Sequence, residues 1–374
     1  MKSYKILIAL VALFMISCTD EIDFQESLNT EESEVKAMSS GYMGVQSTFI
    51  DNGFSQNCSR NMLIFSDFAH YHQVLFDLEE LVEEHEENYI SNFDHLDDNQ
   101  LELQEAADGF YEYLPLQIFE NELSFCSLRR HLEPLEEAWL SQQSYTGIDF
   151  STSPSETDFF MDDEYEATVL NPQGEVIIGR DMYKFFNGGV LIIDYQNVDI
   201  ETLLTDLNNG MTPGQAVDDY RPFVQVEEEL INNFVPPACI GILGIGQSKF
   251  VEIRPLLGLR MTFRMRIHGG EAQIRSKTRA YRWTGSNWTR RRINMGAGFH
   301  EGTTVSLPSQ DCHEFVTVPN NWKTNVRRRM SRTYRNYWSL PQPFPFQLQE
   351  NLHTLETWHR LGNDIHTEPV PFQY

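Results

Sequence analysis

The strongest constraint on this chain is a change that occurs near residue 240. Up to that point 46 Asp and Glu accompany 9 Lys and Arg; beyond it 9 acidic residues meet 19 basic ones. The apolar period changes at the same place. From Met62 to Gln143 apolar residues recur near the 3.6 spacing of a helix, as in Phe76, Leu78, Leu81 and Val82, then Leu101, Leu103, Phe110, Tyr113 and Leu114, then Leu132, Leu135, Ala138 and Trp139. From Phe250 onward the period is two. In "RMTFRMRI" Met261, Phe263, Met265 and Ile267 share one face, and Arg260, Thr262, Arg264 and Arg266 the other. The expected fold class is therefore α+β, with an acidic helical region and a small β meander at 42–240 and a basic antiparallel β domain at 241–374. Pro236, Pro237, Gly241, Gly244 and Gly246 punctuate the junction, where "GILGIG" reads as a crossing between domains.

Within the acidic part, Asn171 to Gly174, Gly179 to Asp181 and Asn187 to Gly189 are turn signals between β-branched runs, which predicts the meander. Asp199 to Asn209 and Thr212 to Tyr220 read as short helices, the second opening on a cap followed by proline. The acids Glu79, Glu80, Glu83, Glu84, Glu86 and Glu87 read as a solvated helix face. The stretch "DHLDDNQLELQE" lacks the residue spacing of a calcium loop.

The first residues carry an address. Lys2 and Lys5 precede an unbroken apolar run from Ile6 to Ile16, then Ser17 and Cys18. This run is too short to span the roughly 30 Å hydrocarbon layer, and no later segment reaches the ~20 apolar residues a spanning helix needs. A small residue followed by cysteine at the end of such a run resembles the lipobox of bacterial lipoproteins. That resemblance implies a signal peptide at 1–17, cleavage before Cys18, palmitate and related acyl chains on the cysteine, and outer-membrane lipid as a partner. Asp20, Glu21, Asp23, Glu26, Glu31, Glu32 and Glu34 follow, so 18–41 reads as a lipidated, self-repelling acidic tether. It is similar to the acidic tracts of Bacteroidota lipoproteins sent to the cell surface, which implies that location here.

Two internal segments, "FCSLRR" at Phe125 to Arg130 and the run from Asn171 through "GEVIIG" to "YKF", resemble a group of uncharacterised Bacteroidota outer-membrane lipoproteins. The resemblance implies membership and carries no activity. Cys58, Cys126, Cys239 and Cys312 remain after the anchor, an even number for an oxidising compartment; three pairings are open, as is the reduced state.

The basic half offers the main candidate site. Arg264, Arg266, Arg275, Lys277, Arg279, Arg290 and Arg292 fall in alternation, with Tyr281, Trp283, Trp288 and Trp338 nearby. Arginine suits planar contacts with phosphate or carboxylate, so an exposed face would bind an anionic glycan or lipopolysaccharide in preference to nucleic acid, which the acidic half would repel. The competing reading is that the basic sheet docks on the acidic helices, or that edge strands carry charge against aggregation. The overall expectation is a non-enzymatic binding or structural module with no cofactor and no metal. The alternative is a surface-exposed, metal-dependent hydrolase using His70 and His72, although histidines two apart do not share a helix face.

Overall fold

The computed structural model describes residues 38–49, 61–154, 163–186, 189–228, 244–268 and 271–299, and strands at 304–307, 314–317, 322–327, 329–337, 356–361 and 364–369. The signal peptide, Cys18 and most of the acidic tether lie outside the described residues. Strand β1 begins at Met38, inside the expected tether.

The fold is α+β. Its first sheet has seven strands in sequential order: β1 Met38–Tyr42, β2 Val45–Phe49, β3 Asn61–Phe65, β4 Glu175–Ile178, β5 Asp181–Phe186, β6 Gly189–Ile193 and β7 Val224–Glu228. The expected meander is its β4 to β6 portion, so the meander is part of a larger sheet. Met62, expected to open a helical region, lies in β3. Strands β3 and β4 are parallel and the other neighbours antiparallel. Parallel strands need a long crossover, and here it carries the helices α1 Phe68–Ser91, α2 Asp98–Asp108, α3 Leu114–Glu122, α4 Leu128–Gln142 and the short α5 Glu164–Val169.

Strand alternation assigns the two faces of this sheet. Leu63, Phe65, Val176, Ile178, Tyr183, Phe185 and Val190 point to one side, where they pack with Tyr71, Val74, Leu78 and Val82 of α1, Leu116 and Phe119 of α3, and Leu128 and Leu132 of α4. Met62, Ile177, Met182, Leu191 and Ile193 point to the other, against Leu203 and Leu204 of α6 Ile200–Asn208 and Ala216 of α7 Pro213–Asp219. Strands β3 to β6 are thus buried on both faces between two helical layers. The last two helices start as the sequence indicates. Asp199 caps α6, and Thr212 with Gln215 forms a capping box for α7, whose first residue is Pro213.

The C-terminal part is antiparallel β. A second sheet orders β11 Trp288–Arg290, β10 Glu271–Trp283, β9 Leu257–His268 and β8 Gly244–Arg254, with Arg329–Tyr337 also paired to β10. Because β8 starts at Gly244, Gly244 and Gly246 belong to a strand and not to a crossing segment. A third sheet is built around β12 Ile293–Phe299, which pairs with Trp322–Arg327 and Glu356–Leu361. Leu259, Met261 and Ala280 of the second sheet pack on Met295 and Ala297 of β12. Lys36–Tyr374 form one compact unit, so the expected boundary at 240/241 lies inside it. Among the described residues no helix is long and apolar enough to cross a membrane.

Candidate functional site

The site is where the arginine face of the second sheet ends up. The register sets Arg275 opposite Arg264, Lys277 opposite Thr262, Arg279 opposite Arg260 and Tyr281 opposite Arg290. These residues share one face, as their alternation in the sequence requires; the side chains of Arg264 and Arg266 lie outside the described residues. Along the described part of β10 that face is closed. Arg275 to Arg279 are buried on both sides of β10, with Ser276 and Thr278 on the face that meets the third sheet.

Arg275, Lys277, Arg279, Arg290 and Arg292 each meet a carboxylate of the helical half. Arg275 pairs with Asp163, the N-cap of α5, and lies 3.7 Å from Glu79 of α1. Lys277 pairs with Glu164, which also accepts a 3.2 Å bond from Arg279. Arg290 donates to Glu136 of α4 at 2.9 Å and lies 3.8 Å from Glu112. Arg292, with no exposed side-chain surface, donates to Glu86 of α1 at 2.8 Å and pairs with Glu105 of α2, which are themselves only 2% and 1% exposed. The expectation of an open polyanion surface is therefore corrected for Arg275, Lys277, Arg279, Arg290 and Arg292. The physical reason is complementary charge: a planar guanidinium fork finds carboxylates at matching spacing inside the same chain.

Burial opposes the charge on Arg275, but Asp163 and then Glu79 outweigh it and hold its pKa above the ordinary arginine value. Arg290 is raised in the same way, burial being outweighed by Tyr113 and then Glu136. Arg260 is the exception. Burial pushes it down to about 10, with Tyr281 only partly offsetting the loss of water, and its guanidinium sits 4.1 Å from the centre of the Phe150 ring.

Two parts of this seam escape a reading by period alone. Arg291 has the wrong parity for the face, yet it pairs with Glu102 and donates to Asn99 at 2.7 Å. Strand β11 ends at Arg290 and β12 begins at Ile293, so the break between them lets Arg291 and Arg292 both reach the helices. Glu86 was placed on a solvated face, but it is four residues beyond Val82 on the buried stripe of Tyr71, Leu75, Leu78 and Val82. That position was the available signal.

The remaining candidates hold the fold together. His70 donates from Nε2 to the Met43 carbonyl at 2.8 Å, and its Nδ1 accepts from the Ser66 N–H at 3.3 Å. His72 stacks on Phe68 within the buried helix face, and His85 stacks on Phe110 and contacts the Tyr111 carbonyl at 3.1 Å. Among the described residues no group of three or more His, Cys, Asp or Glu side chains is arranged to hold a metal ion. In "FCSLRR", Phe125 and Leu128 are core, and Ser127 caps α4 and bonds Glu120. Arg129 grips Glu120 with a 2.7 Å contact and Glu133 with a 2.9 Å contact. Cys126 is disulfide-bonded, whereas Cys58, Cys239 and Cys312 lie outside the described residues. In the second segment Asn171 accepts from the N–H groups of Gln173 and Glu175 and donates to the Glu175 carboxylate, which Lys184 neutralises at 2.7 Å. Gly174 supplies the positive φ of 74° that this turn needs.

A small pocket of about 40 Å³ opens at the seam, lined among others by Tyr113, Arg129, Glu133, Glu136, Asp163, Glu164, Arg279 and Arg290. Its charged walls are already paired with one another or with neighbours.

No family model matches the sequence, and no curated protein matches it. One solved structure, a DUF4848 family protein from Bacteroides thetaiotaomicron, aligns over 83% of this chain and 93% of its own at 11% identity and a TM-score of 0.17. At that TM-score the likeness carries no argument about fold or activity.

Proposed function

We propose that this chain is a lipid-anchored cell-envelope protein, held in the outer membrane through Cys18 and displayed at the cell surface, whose folded part is a non-enzymatic binding or structural module. The observation that supports the folded part of this reading is the seam. Arg275, Lys277, Arg279, Arg290 and Arg292 are engaged with Asp163, Glu164, Glu136, Glu86 and Glu105, an arrangement that joins two surfaces of the chain. The address is supported by Lys2, Lys5, the apolar run to Ile16 and the Ser17-Cys18 pair. Two or more acyl chains on one cysteine hold a protein at a bilayer stably.

Mass spectrometry of the N-terminal peptide from membrane-extracted protein tests the address. A multiply acylated Cys18 as the first residue is expected. An unmodified thiol at Cys18, or a Cys18→Ser variant that still sediments with membranes, contradicts it.

A further inference from the structure

We propose that the basic face of β10 and β11 is a polyanion-binding surface held shut by the chain's own carboxylates, which occupy the places that phosphate or carboxylate groups of an outside polymer would take. The proposal rests on the reading of the folded part as a binding module and names the class of partner. Three observations lead to it.

The first is that, among the described residues, most apolar clusters lie wholly on one side of the seam. One helical-half cluster runs from Val45 to Val190 and the other from Met62 to Val224, whereas the cluster between the second and third sheets is made of Leu259, Met261, Ala280, Met295 and Ala297. Among the described residues, apolar contact across the seam runs through one cluster, in which Leu140, Ile148, Trp139 and Phe150 meet Tyr281, Trp288, Phe250 and Trp283. Parting the surfaces therefore bares this cluster but leaves the other described clusters intact.

The second is the chemistry of the rest of the seam. Facing the cations are Glu79 and Glu86 from α1, Glu102 and Glu105 from α2, Glu112, Glu136 from α4, Asp163, and Glu164 from α5. Such pairs repay the loss of water only while both partners are present. Neutralising the carboxylates consequently weakens what holds the surfaces together outside that apolar cluster.

The third is the geometry of what opening would bare. Arg275, Lys277 and Arg279 alternate along one strand and Arg290 lies beside them across the β10–β11 ladder, a row of donors suited to repeated anions along a polymer. The acidic helices are the competitor, and the apparent affinity for an outside polyanion is reduced by the small fraction of open molecules.

The test uses the full-length chain in detergent, with inorganic polyphosphate as the probe and hydrogen exchange as a readout of the seam. Glu86→Gln with Glu105→Gln is the main variant. Glu136→Gln, at the partly exposed rim beside Arg290, is the second, and it serves if the first does not fold. Either variant should lose exchange protection in β10 and β11 while β4 to β6 stay protected. It should also bind polyphosphate at least about tenfold tighter than wild type at neutral pH, since closure lowers apparent affinity by the open fraction, and added salt should weaken that binding steeply. Opening of the seam without a gain in polyphosphate binding overturns the proposal. So does a seam that stays fully protected in both variants, or one that loses protection only together with β4 to β6. Lipid at Cys18 is measured separately, so failure here is distinguishable from failure of the envelope assignment.

Discussion

Replacing Arg292 by Met isolates the energetics of the seam at its most buried point. The guanidinium has no exposed surface, and Glu86 and Glu105, its two partners, are almost completely buried. Removing the cation leaves both carboxylates next to each other without a counter-charge in a region water barely reaches. Breaking one partner out of a buried pair destabilises by about 3 to 5 kcal/mol, and here one deletion strands two anions, so the upper end of that range is expected for Arg292→Met. Replacing Glu86 by Leu and Glu105 by Leu in the same chain removes the stranded charges as well. Such all-apolar replacements of a buried ionic group are typically neutral or stabilising, by about 1 to 4 kcal/mol. The triple variant should then recover most of the loss. Urea unfolding followed by circular dichroism, with protease sensitivity as a second probe, measures both. Because buried pairs are screened little by salt, the difference between wild type and Arg292→Met should persist at high ionic strength. Wild-type stability in Arg292→Met, or a triple variant less stable than the single one, refutes the reasoning.

Arg129→Met strands the fully buried Glu120 and should destabilise by about 3 to 5 kcal/mol, whereas Arg130→Ala, on the exposed side of the same helix, should change the unfolding midpoint very little. Asn171→Ala removes the acceptor for two backbone N–H groups in a buried turn and should lower stability by about 1 to 3 kcal/mol in the same assay. Arg260 has a folded pKa of about 10, below its unfolded value, so the folded state resists its charge at neutral pH and gains stability as pH rises through 10 towards the unfolded value. Arg260→Met should accordingly melt no lower than wild type at neutral pH, and a clear loss would contradict this. Tyr89 is pushed up to about 12, first by burial and then by its bond to Asp108. Its stabilising contribution is therefore complete below pH 10 and lost as pH rises through 12, so a thermal-melt series across that window should be flatter for Tyr89→Phe.

Much of the architecture is legible in the sequence because it rests on local rules. The helix starts at Asp199 and Thr212, the turns at Asn171 to Gly174 and Gly179 to Asp181 and the alternation of Arg275, Lys277 and Arg279 all reappear in the structure. What alternation cannot tell is what a face looks at. The same pattern of Arg and apolar residues describes a strand with one wet side and a strand buried twice, once in an apolar core and once against fixed counter-charges. Both Lys277 and Glu86 illustrate this: for Lys277 alternation leaves open whether its face is exposed or docked on the acidic helices, Glu86 reads as solvated by residue type, and each is buried against a partner more than a hundred residues away. Strand β3 was hidden for a related reason, since Met62 to Phe65 are apolar on both sides of a buried sheet and carry no alternation to separate them from the helix that follows. The "FCSLRR" and Asn171 segments stand out as motifs, but their residues serve caps, turns and buried pairs.

The most direct test of the closed seam is the reactivity of one amine. Lys277 is the lysine on the arginine face, 2% exposed and paired with Glu164. Native full-length protein treated with an amine-acylating reagent, digested and quantified against the same reaction in urea, should show Lys277 protected in the native state and fully modified in the denatured one. Acylation of native Lys277 as fast as in urea would mean that the basic face is open to solvent, and that the carboxylates of the helical half do not cover it.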